Sequence, residues 1–523
     1  MPLHYYLSMF GQKWIAVVLL AFSRLIVAQP VASSPQQVRD LVREYRRTNE
    51  AQIVRDYARL LSLPNVASDT PNIRANASFI IDLLKQRGFS TQELNVPGAP
   101  PAVYGELKTP GATHTLLWYA HYDGQPVDKS QWVHDPWQPM LREWPANAKT
   151  VPLDSLKQPL NPEWRIYARS ASDDKAPIQA LLTALDALKA ANIPLSVNLK
   201  VFFEGEEEAG SPHLEEIFRE NAGLLKGDLW LLSDGPVHQT RRMQLYFGAR
   251  GVTDLELTVY GPARVLHDGH YGNWAPNPAA LLVDLLSHMR DASSHILIPG
   301  FYDDVRPLTA AERDAIAQSP AVDAQLKQEL ALDWTESNGA ILPLAITQPS
   351  LNIRGLEAGH VGEKAQNAIS TSAQASIDFR LVPNQTPEHV RELVEKFITQ
   401  QGFFIVHQPP AIETRLQHAK VIQVRWGAGY KAARTSLDDP AVLPVVRSIE
   451  QTLGAPVIKM PLLGGSVPMY LFTDLLKTPV VGLPIVNHDN NQHGANENLR
   501  LQNLWGGIEI FAGILANVEK NWK

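Results

Sequence analysis

The sequence predicts an α/β fold in which a mostly parallel sheet is flanked by helices. From Pro35 onward, stretches with apolar residues at helical spacing alternate with short apolar runs that are typical of buried strands, as in such folds. The 523 residues are 45% hydrophobic and 19% charged. This composition is ordinary for a globular protein and leaves room for two or more domains.

The first predicted helices end at Gly88, and two strands follow, at 103–107 and 115–119. The second strand runs directly into His121, and in sheets of this kind ligands gather beyond the carboxyl ends of the strands. A single His at such a place is commonly structural, but Asp123 supplies the carboxylate that often orients a metal-bound imidazole. The helical spacing is carried by Val38, Leu41, Val42, Tyr45, Ile53, Tyr57, Leu60, Leu61, Ile80, Leu83 and Leu84.

The charge balance and the lack of cysteine exclude two classes of site. Lys and Arg total 47 against 54 Asp and Glu, which gives a formal net charge of -7. No basic cluster accompanies an aromatic platform, so we expect no nucleic-acid partner. Because the chain has no cysteine, zinc could be bound only through His, Asp and Glu, and no disulfide pattern indicates the compartment.

The N-terminal segment, residues 1–28, resembles a Sec-type signal peptide. Lys13 precedes an apolar run from Trp14 to Phe22, and a second run ends at Ala28 ahead of a polar stretch. Arg24 interrupts the apolar segment, which is therefore short for a membrane span of roughly 20 residues. We expect cleavage after Ala28 and an exported, periplasmic or secreted protein with no stable membrane span. Retention of the segment as an anchor is the alternative.

The stretch from Lys129 to Pro162 is rich in Trp and Pro and shows no clear period. We therefore expect a long surface excursion over the edge of the sheet. In this interpretation Trp132, Trp137 and Trp144 cover the fold and do not contact a cofactor.

Acidic residues follow several strand-like runs, and each has an ordinary structural explanation when taken alone. Asp173, in SASDDK, precedes an amphipathic helix, where aspartates usually act as caps. Glu206–Glu208, in VFFEGEEEAGS, would usually form a solvated loop. Asp234 ends the run LLSD. Together with His121 and the distant His493, these carboxylates make up the oxygen and nitrogen set that a pair of zinc ions prefers.

The ordered motifs HYD, SASDDK, EGEEEAGS, LLSDG and HGANEN resemble those of a dinuclear zinc metallopeptidase family. This family includes carnosinase-type dipeptidases, bacterial glutamate carboxypeptidases, acetylornithine deacetylase and aminoacylase. The resemblance covers the chain from about Val38 to Ile514. It implies two bound zinc ions, with cobalt or manganese as the alternatives.

The resemblance also implies a role for each matching residue. Glu207 would be the general base, which takes a proton from water and gives it to the leaving amine. Asp123 would orient His121, and Glu206 is assigned to the solvated loop. The implied metal ligands are Asp173 as the bridge, His121 and Asp234 for one ion, and Glu208 and His493 for the other.

A two-layer α+β lid and dimerisation domain is implied at 247–433, between catalytic segments 35–246 and 434–523. We expect a homodimer through this lid. His267 would reach the partner's active site and stabilise the oxyanion, with His270 as the second candidate and a surface turn as the alternative. The predicted lid elements are strands Val252–Tyr260, Ser350–Gly355, Ala373–Arg380 and Phe404–His407, and helices Pro278–His288 and Pro387–Thr399.

Four further residues would contact the substrate in the same resemblance. Asn367 and Arg380 would hold a substrate carboxylate, for which Arg offers a bidentate fork. Gly465 and Ser466 resemble a loop that supplies backbone amides near the cleaved group. A helix N-cap ahead of Pro468 is the alternative for Ser466.

Two departures from the family pattern refine the expected function. Ala176 stands where a Gly usually follows the Lys, which is a mild change at the start of a helix. Asp234 stands where deacylases and carboxypeptidases generally carry Glu, and this resembles the dipeptidase and aminopeptidase branch. We therefore expect a dizinc dipeptidase or aminopeptidase acting on small peptides. An amide hydrolase of N-acyl amino acids is the alternative, and a metal-free binding module on the same scaffold is the different class.

Overall fold

The computed structural model describes residues 34–144 and 149–522. The predicted signal peptide, residues 1–28, lies outside the described residues. Within them, no helix is both long enough and apolar enough to cross a membrane.

The described helices and strands alternate along most of the chain. The α-helices are Pro35–Leu61 (α1), Thr70–Lys85 (α2), Lys175–Ala190 (α3), Leu214–Asn221 (α4), Asp268–Tyr271 (α5), Pro278–Met289 (α6), Ala310–Ala317 (α7), Asp323–Glu329 (α8), Leu342–Ala345 (α9), Pro387–Gln400 (α10), Ile412–Gln417 (α11), Leu443–Leu453 (α12) and Leu501–Asn521 (α13). The strands are Ser90–Leu94 (β1), Ala102–Leu107 (β2), Thr115–His121 (β3), Met140–Arg142 (β4), Thr150–Val151 (β5), Arg165–Tyr167 (β6), Asn198–Glu204 (β7), Leu229–Leu232 (β8), Gln244–Tyr246 (β9), Gly248–Tyr260 (β10), Leu266–His267 (β11), Ser350–Glu357 (β12), Ala368–Ile369 (β13), Ser372–Leu381 (β14), Phe404–Val406 (β15), Val421–Tyr430 (β16), Ala433–Arg434 (β17), Ile458–Met460 (β18), Leu463–Ser466 (β19), Val480–Gly482 (β20) and Asn498–Arg500 (β21).

The largest sheet has the strand order β1-β2-β7-β3-β8-β20-β9-β18. Its central strands β7, β3, β8 and β20 are parallel, so their carboxyl ends meet at one edge. Along β3, Leu116 and Trp118 face the core formed with α1, α3, α12 and α13, whereas Leu117 and Tyr119 face a second core that includes α4. Both faces are covered, as is usual for parallel sheets. The predicted α/β fold is confirmed.

A second sheet has the order β12-β14-β10-β16-β15, and α6 and α10 contribute to the core on one face of it. Leu255, Leu257 and Val259 of β10 point into that core. The opposite face is polar, and there Arg354 forms ion pairs with Asp254 and Glu256. The expected lid strands and helices are present with slightly different ends, and β16 is an additional strand. The domain boundaries at 247 and 433 stay a prediction.

A third, four-stranded sheet has the order β21-β6-β4-β5. The predicted surface excursion was therefore wrong in part, because β4 and β5 are paired strands of this sheet. Trp132 is buried beside Arg169, and Trp144 lies against the guanidinium of Arg165 at 3.6 Å. Strands β6 and β21 pair antiparallel through Tyr167 and Asn498. This pairing brings the SASDDK and HGANEN segments together.

Two glycines of α13 allow a matched test of how closely this helix packs on α12. At Gly506 an added Cβ would meet no atom within 4 Å, so Gly506→Ala should stabilise the protein by about 0.5–1 kcal/mol through helix propensity. At Gly513 the Cβ would lie 2.1 Å from Oγ1 and 3.0 Å from Cβ of Thr452. Gly513→Ala should therefore destabilise by about 1–3 kcal/mol. Thermal unfolding of both variants checks this, and midpoints that move in the same direction would contradict the packing.

Candidate metal and catalytic site

His121, the last residue of β3, is completely buried between two aspartates. Its Nδ1 lies 3.2 Å from Oδ1 of Asp123, and its Nε2 lies 2.9 Å from Oδ1 of Asp173. Burial lowers the pKa of His121, but the contacts with Asp123 and Asp173 outweigh burial and raise the pKa well above its ordinary value. The imidazole is thus oriented by one carboxylate and faces another.

Asp173 lies between two histidines, one at each carboxylate oxygen. Its Oδ1 faces His121, and its Oδ2 lies 3.1 Å from Nε2 of His493. The same His493 nitrogen lies 3.2 Å from Oε2 of Glu208. The residues therefore form two sets that share Asp173, and within each set the ligand atoms lie within 4.8 Å of one another. One set is His121, Asp173 and Asp234, and the other is Asp173, Glu208 and His493.

The donor atoms of these two sets fit a pair of divalent cations. Burial, followed by the charge of Asp173, raises the pKa of Glu208 to about 8 and that of Asp234 to about 6. Buried carboxylates this close repel one another unless positive charge lies between them. Oε1 of Glu208 is also buried without a hydrogen-bond partner. Imidazole nitrogens and carboxylate oxygens are ligands that zinc accepts in the absence of cysteine.

Asp123 also fixes the backbone of the glutamate run. Its Oδ1 accepts a hydrogen bond from the N–H of Glu207 at 3.1 Å, and its Oδ2 accepts one from the N–H of Glu208 at 3.0 Å. Gly205 is required just before this turn, because a Cβ there would lie 2.5 Å from the hydroxyl of Tyr122. One carboxylate therefore positions both His121 and the two glutamates.

Glu207 lies beside the donor sets without belonging to either. Its Oε2 is 3.9 Å from Nε2 of His121. Burial raises its pKa well above the ordinary value, and the charges of Asp234, Asp173 and Glu208 add to this against the opposing effect of His121. A carboxylate in this place holds a proton more readily than an exposed Glu does, which suits a proton acceptor beside the donor sets.

The assignment of Glu206 to a solvated loop was wrong. Its side chain is only 4% exposed, and its Oε1 accepts a hydrogen bond from the N–H of His213 at 3.0 Å. The carboxylate turns back toward the start of α4 because the backbone turn after Gly205 directs it away from solvent. Asp174 occupies the N-cap position of α3, yet its side chain caps nothing and accepts instead from the N–H of His121 at 3.3 Å.

Glu497 supports the site from within the HGANEN motif, although no local sequence pattern assigns it this role. It is completely buried, and its carboxylate accepts five hydrogen bonds of 2.8–2.9 Å. The donors are Nη1 of Arg169, the backbone N–H groups of Ser170, Ser172 and Asp173, and the hydroxyl of Ser172. Glu497 therefore holds the loop that carries Asp173.

The loop that carries His493 has an unusual backbone. Asn491, His493 and Asn496 all have positive φ, near 60°. Asn tolerates this conformation, but at His493 it costs about 1–3 kcal/mol, which the surrounding contacts must offset. Asn498 supports the loop by donating its side-chain N–H to the carbonyl oxygens of Asn490 and Asn496.

The predicted lid residues fall into two groups. His267 and Asn367 lie together, because β11 pairs with β13 and the N–H of Asp268 donates to the carbonyl oxygen of Asn367 at 3.2 Å. The side chain of His267 is 58% exposed. Among the described residues, no hydrogen bond or ion pair connects it with the metal-ligand candidates.

The second group lies near the start of strand β10, where β14 and β19 both pair with it. Nη1 of Arg380 donates to the hydroxyl of Ser466 at 2.7 Å, and that hydroxyl donates to the carbonyl oxygen of Gly251 at 3.3 Å. Ser466 and Gly465 belong to strand β19, which pairs with β10, so Ser466 caps no helix. Arg250 lies alongside and donates to the carbonyl oxygen of Gly464.

Comparison with known proteins identifies relatives over most of the chain. The model of peptidase family M20/M25/M40 matches residues 117–517. The chain is 29% identical over 480 residues to the Cys-Gly metallodipeptidase DUG1 of Candida albicans, covering 87% of this chain and 92% of that protein. It is 28% identical over 468 residues to the human Beta-Ala-His dipeptidase, covering 88% and 85%.

A solved structure has the same overall fold. The M20 family metallo-carboxypeptidase Sso-CP2 from Sulfolobus solfataricus superposes with a TM-score of 0.73 at 27% identity. The match covers 90% of this chain and 99% of that one.

Replacing Glu497 by Gln should disturb the Asp173 loop. The amide keeps the size of the side chain but leaves at least one buried N–H without an acceptor, which costs about 1–3 kcal/mol. We expect a lower thermal midpoint and weaker metal retention after dialysis, measured by mass spectrometry. The control is Glu215→Gln, which removes an exposed pair with Arg219 and should cost at most about 1 kcal/mol. Equal behaviour of the two variants would contradict the role of Glu497.

Proposed function

Because the chain belongs to peptidase family M20/M25/M40 and is a metallopeptidase acting on peptide bonds of small peptides, we propose that it is a dizinc dipeptidase or aminopeptidase. One observation carries this proposal. Asp173 presents its two oxygens to two separate donor sets, while Glu207 lies next to them and belongs to neither.

The two donor sets divide the proposed metal ligands. His121 and Asp234 would hold one ion, Glu208 and His493 the other, and Asp173 would bridge them. When bound, the ions supply Lewis acidity, which polarises the scissile carbonyl and makes water a stronger nucleophile. Zinc is the proposed metal because the two imidazoles among the donors favour it over calcium or magnesium, and cobalt or manganese would use the same ligands.

The residues of this chain would perform the proton transfers and the positioning. Glu207 accepts the proton of the attacking water and returns it to the leaving amine. Asp123 keeps the ring of His121 in place and anchors the backbone of Glu207 at the same time. Glu497 prevents the loop of Asp173 from moving away from the site.

The proposed substrate is a dipeptide with a free amino end. Two relatives are named for the dipeptides Cys-Gly and β-Ala-His, and Asp at position 234 resembles the same branch of the family. A panel of Cys-Gly, β-Ala-His and Ala-Ala, assayed beside N-acetyl-Ala and N-acetyl-Gly, tests the proposal. Turnover of the acetylated amino acids alone would favour the amide hydrolase, and a protein with neither metal nor turnover would favour the binding module.

Glu207→Gln should abolish most turnover and leave the fold and metals in place. The amide cannot accept a proton, and general acid–base assistance contributes typically about 10²- to 10⁴-fold. Initial rates on the best dipeptide of the panel, with metal content measured on the same sample, check this. Activity within about tenfold of the wild type would show that Glu207 is not the base.

Metal counting separates the bridging carboxylate from a terminal one. Asp173→Ala should empty both sites, because its oxygens serve both donor sets. Asp234→Ala should weaken chiefly the set that contains His121. Mass spectrometry after dialysis gives the number of ions per chain. Equal losses in the two variants would count against a bridge at Asp173.

We also propose that the protein is a homodimer that assembles through its lid. Strand β12 is an edge of the lid sheet, and its residues Ile353 and Leu356 are exposed. The exposed His267 is thereby free to enter the active site of a second copy and stabilise the oxyanion.

Mixing two defective variants tests the dimer. His267→Ala should lower turnover severalfold with unchanged metal content. After co-refolding with Glu207→Gln, a heterodimer would combine one intact catalytic centre with a His267 from the other subunit and regain part of the activity. Heterodimers that form without rescue would mean that His267 serves its own subunit or is a turn residue.

Export is proposed on the basis of the N-terminal sequence alone. Residues 1–28 would direct the enzyme to the periplasm or outside the cell and would then be removed. The intact mass of the protein recovered from its natural compartment shows whether this segment is cleaved.

A further inference from the structure

A row of directly opposed residues crosses the polar face of the lid sheet. Ser350 of β12 pairs with Arg380 of β14, Arg380 pairs with Val252 of β10, and Val252 pairs with Tyr430 of β16. Directly opposed residues of antiparallel strands point to the same face. The side chains of Arg380 and Tyr430 therefore share one face, two strand spacings or roughly 10 Å apart.

That face lies against the segment that contains Ser466. The hydroxyl of Ser466 accepts a hydrogen bond from Arg380, and four residues later the ring of Tyr470 stacks on the ring of Tyr430, with centroids 6.1 Å apart. Arg380 and Tyr430 are thus both held by contacts with residues 466–470. The rings support one another, so the position of Tyr430 does not depend on its hydroxyl.

The hydroxyl of Tyr430 has no hydrogen-bond partner among the described residues, in contrast to the buried hydroxyl of Tyr119, which donates to Glu204 at 2.7 Å. It nevertheless lies within electrostatic reach of two groups of the proposed site. Burial raises the pKa of Tyr430, the carboxylate of Glu207 raises it further, and the guanidinium of Arg380 lowers it. An available O–H donor therefore lies on the same face of the lid sheet as Arg380.

We propose that Tyr430 is a substrate-binding residue whose hydroxyl donates to the C-terminal carboxylate of the substrate and makes the enzyme selective for substrates that end in a free α-carboxylate. This inference rests on the proposed function and adds the substrate group that is recognised. A planar carboxylate accepts hydrogen bonds at both oxygens. Arg380 would supply the charged donor to one oxygen, and Tyr430 a neutral donor to the other.

A dipeptide brings its two recognised groups close together. Consecutive Cα atoms are about 3.8 Å apart, so in a dipeptide the scissile carbonyl and the terminal carboxylate are separated by a single residue. In the proposed pose, Arg380 and Tyr430 contact that carboxylate when the peptide bond lies at Glu207. A C-terminal amide would present an N–H₂ group to Arg380, which has only donors, and would leave its guanidinium without an anionic partner.

Tyr430→Phe tests the inference because it removes the hydroxyl and keeps the stacked ring. Kinetics are measured on the dipeptide with the highest wild-type kcat/KM in the panel and on its C-terminal carboxamide. If only N-acetyl amino acids are cleaved, the best of these and its carboxamide replace them, since both classes end in the same α-carboxylate. For the free acid, KM should rise roughly tenfold or more, as loss of a hydrogen bond to a charged group implies, with kcat within about twofold. The carboxamide should be a poor substrate of the wild type and be little affected by the substitution.

The matched control is Tyr470→Phe, which preserves the same ring stack while removing the other hydroxyl of the pair, whose pKa is raised by burial and by the charges of Glu215 and Asp474. It should match the wild type within about twofold, and both variants should keep the wild-type thermal midpoint. Unchanged KM in Tyr430→Phe would overturn the inference. An equal loss of kcat on acid and carboxamide would also overturn it, because the hydroxyl would then act in the reaction step. Wild-type protein that cleaves neither class refutes the proposed function, whereas cleavage without a Tyr430 effect refutes only this inference.

Discussion

The repulsion among buried carboxylates is the constraint on which this structure depends. Asp173, Glu207, Glu208 and Asp234 lie together at one edge of the parallel sheet, and the pKa of each except Asp173 is raised, chiefly by burial. Hydrogen bonds and charges from His121 and His493 keep the pKa of Asp173 low despite its burial. Such a cluster is costly without cations, and it therefore needs rigid supports that prevent the carboxylates from turning out to solvent.

Those supports are themselves carboxylates that accept N–H groups. Asp123 accepts hydrogen bonds from the backbone N–H groups of Glu207 and Glu208, and Glu497 accepts them from N–H groups of the loop that ends at Asp173. The anchored backbone makes consecutive glutamates diverge, so that Glu206 turns to His213 and Glu208 to His493, while Glu207 stays between the donor sets. Three identical residues in a row thereby acquire three different environments.

The sequence predicted the α/β fold and the residues that the structure brings together as two donor sets, because each follows a strand-like run or lies in a recognisable motif. It did not predict the burial of Glu206 or the five hydrogen bonds of Glu497, since their partners are set by tertiary contacts that leave no local pattern. Glu497 could have been noticed as the charged residue four positions after His493 in the same motif. Strand β16 was missed for two reasons. Its pairing with β10 is interrupted by an irregularity between Thr253 and Leu255, and two of its last four residues are glycines. Alternation along such a strand is blurred.

Strand β9 of the catalytic sheet ends at Tyr246, and strand β10 of the lid sheet begins at Gly248, so a single residue separates the two sheets along the chain. The first residues of β10, at Gly248 and Ala249, pair with β17 and β19, whereas the rest of β10 is the centre of the lid sheet. Arg380 lies opposite Val252, only a few residues from that junction, so its position is set by the same strand that contacts Ser466. The proposed carboxylate-binding groups are thus fixed close to the point where the chain leaves the catalytic sheet. With these contacts, the substrate would be measured from the scissile bond to its terminal carboxylate, which would disfavour longer peptides.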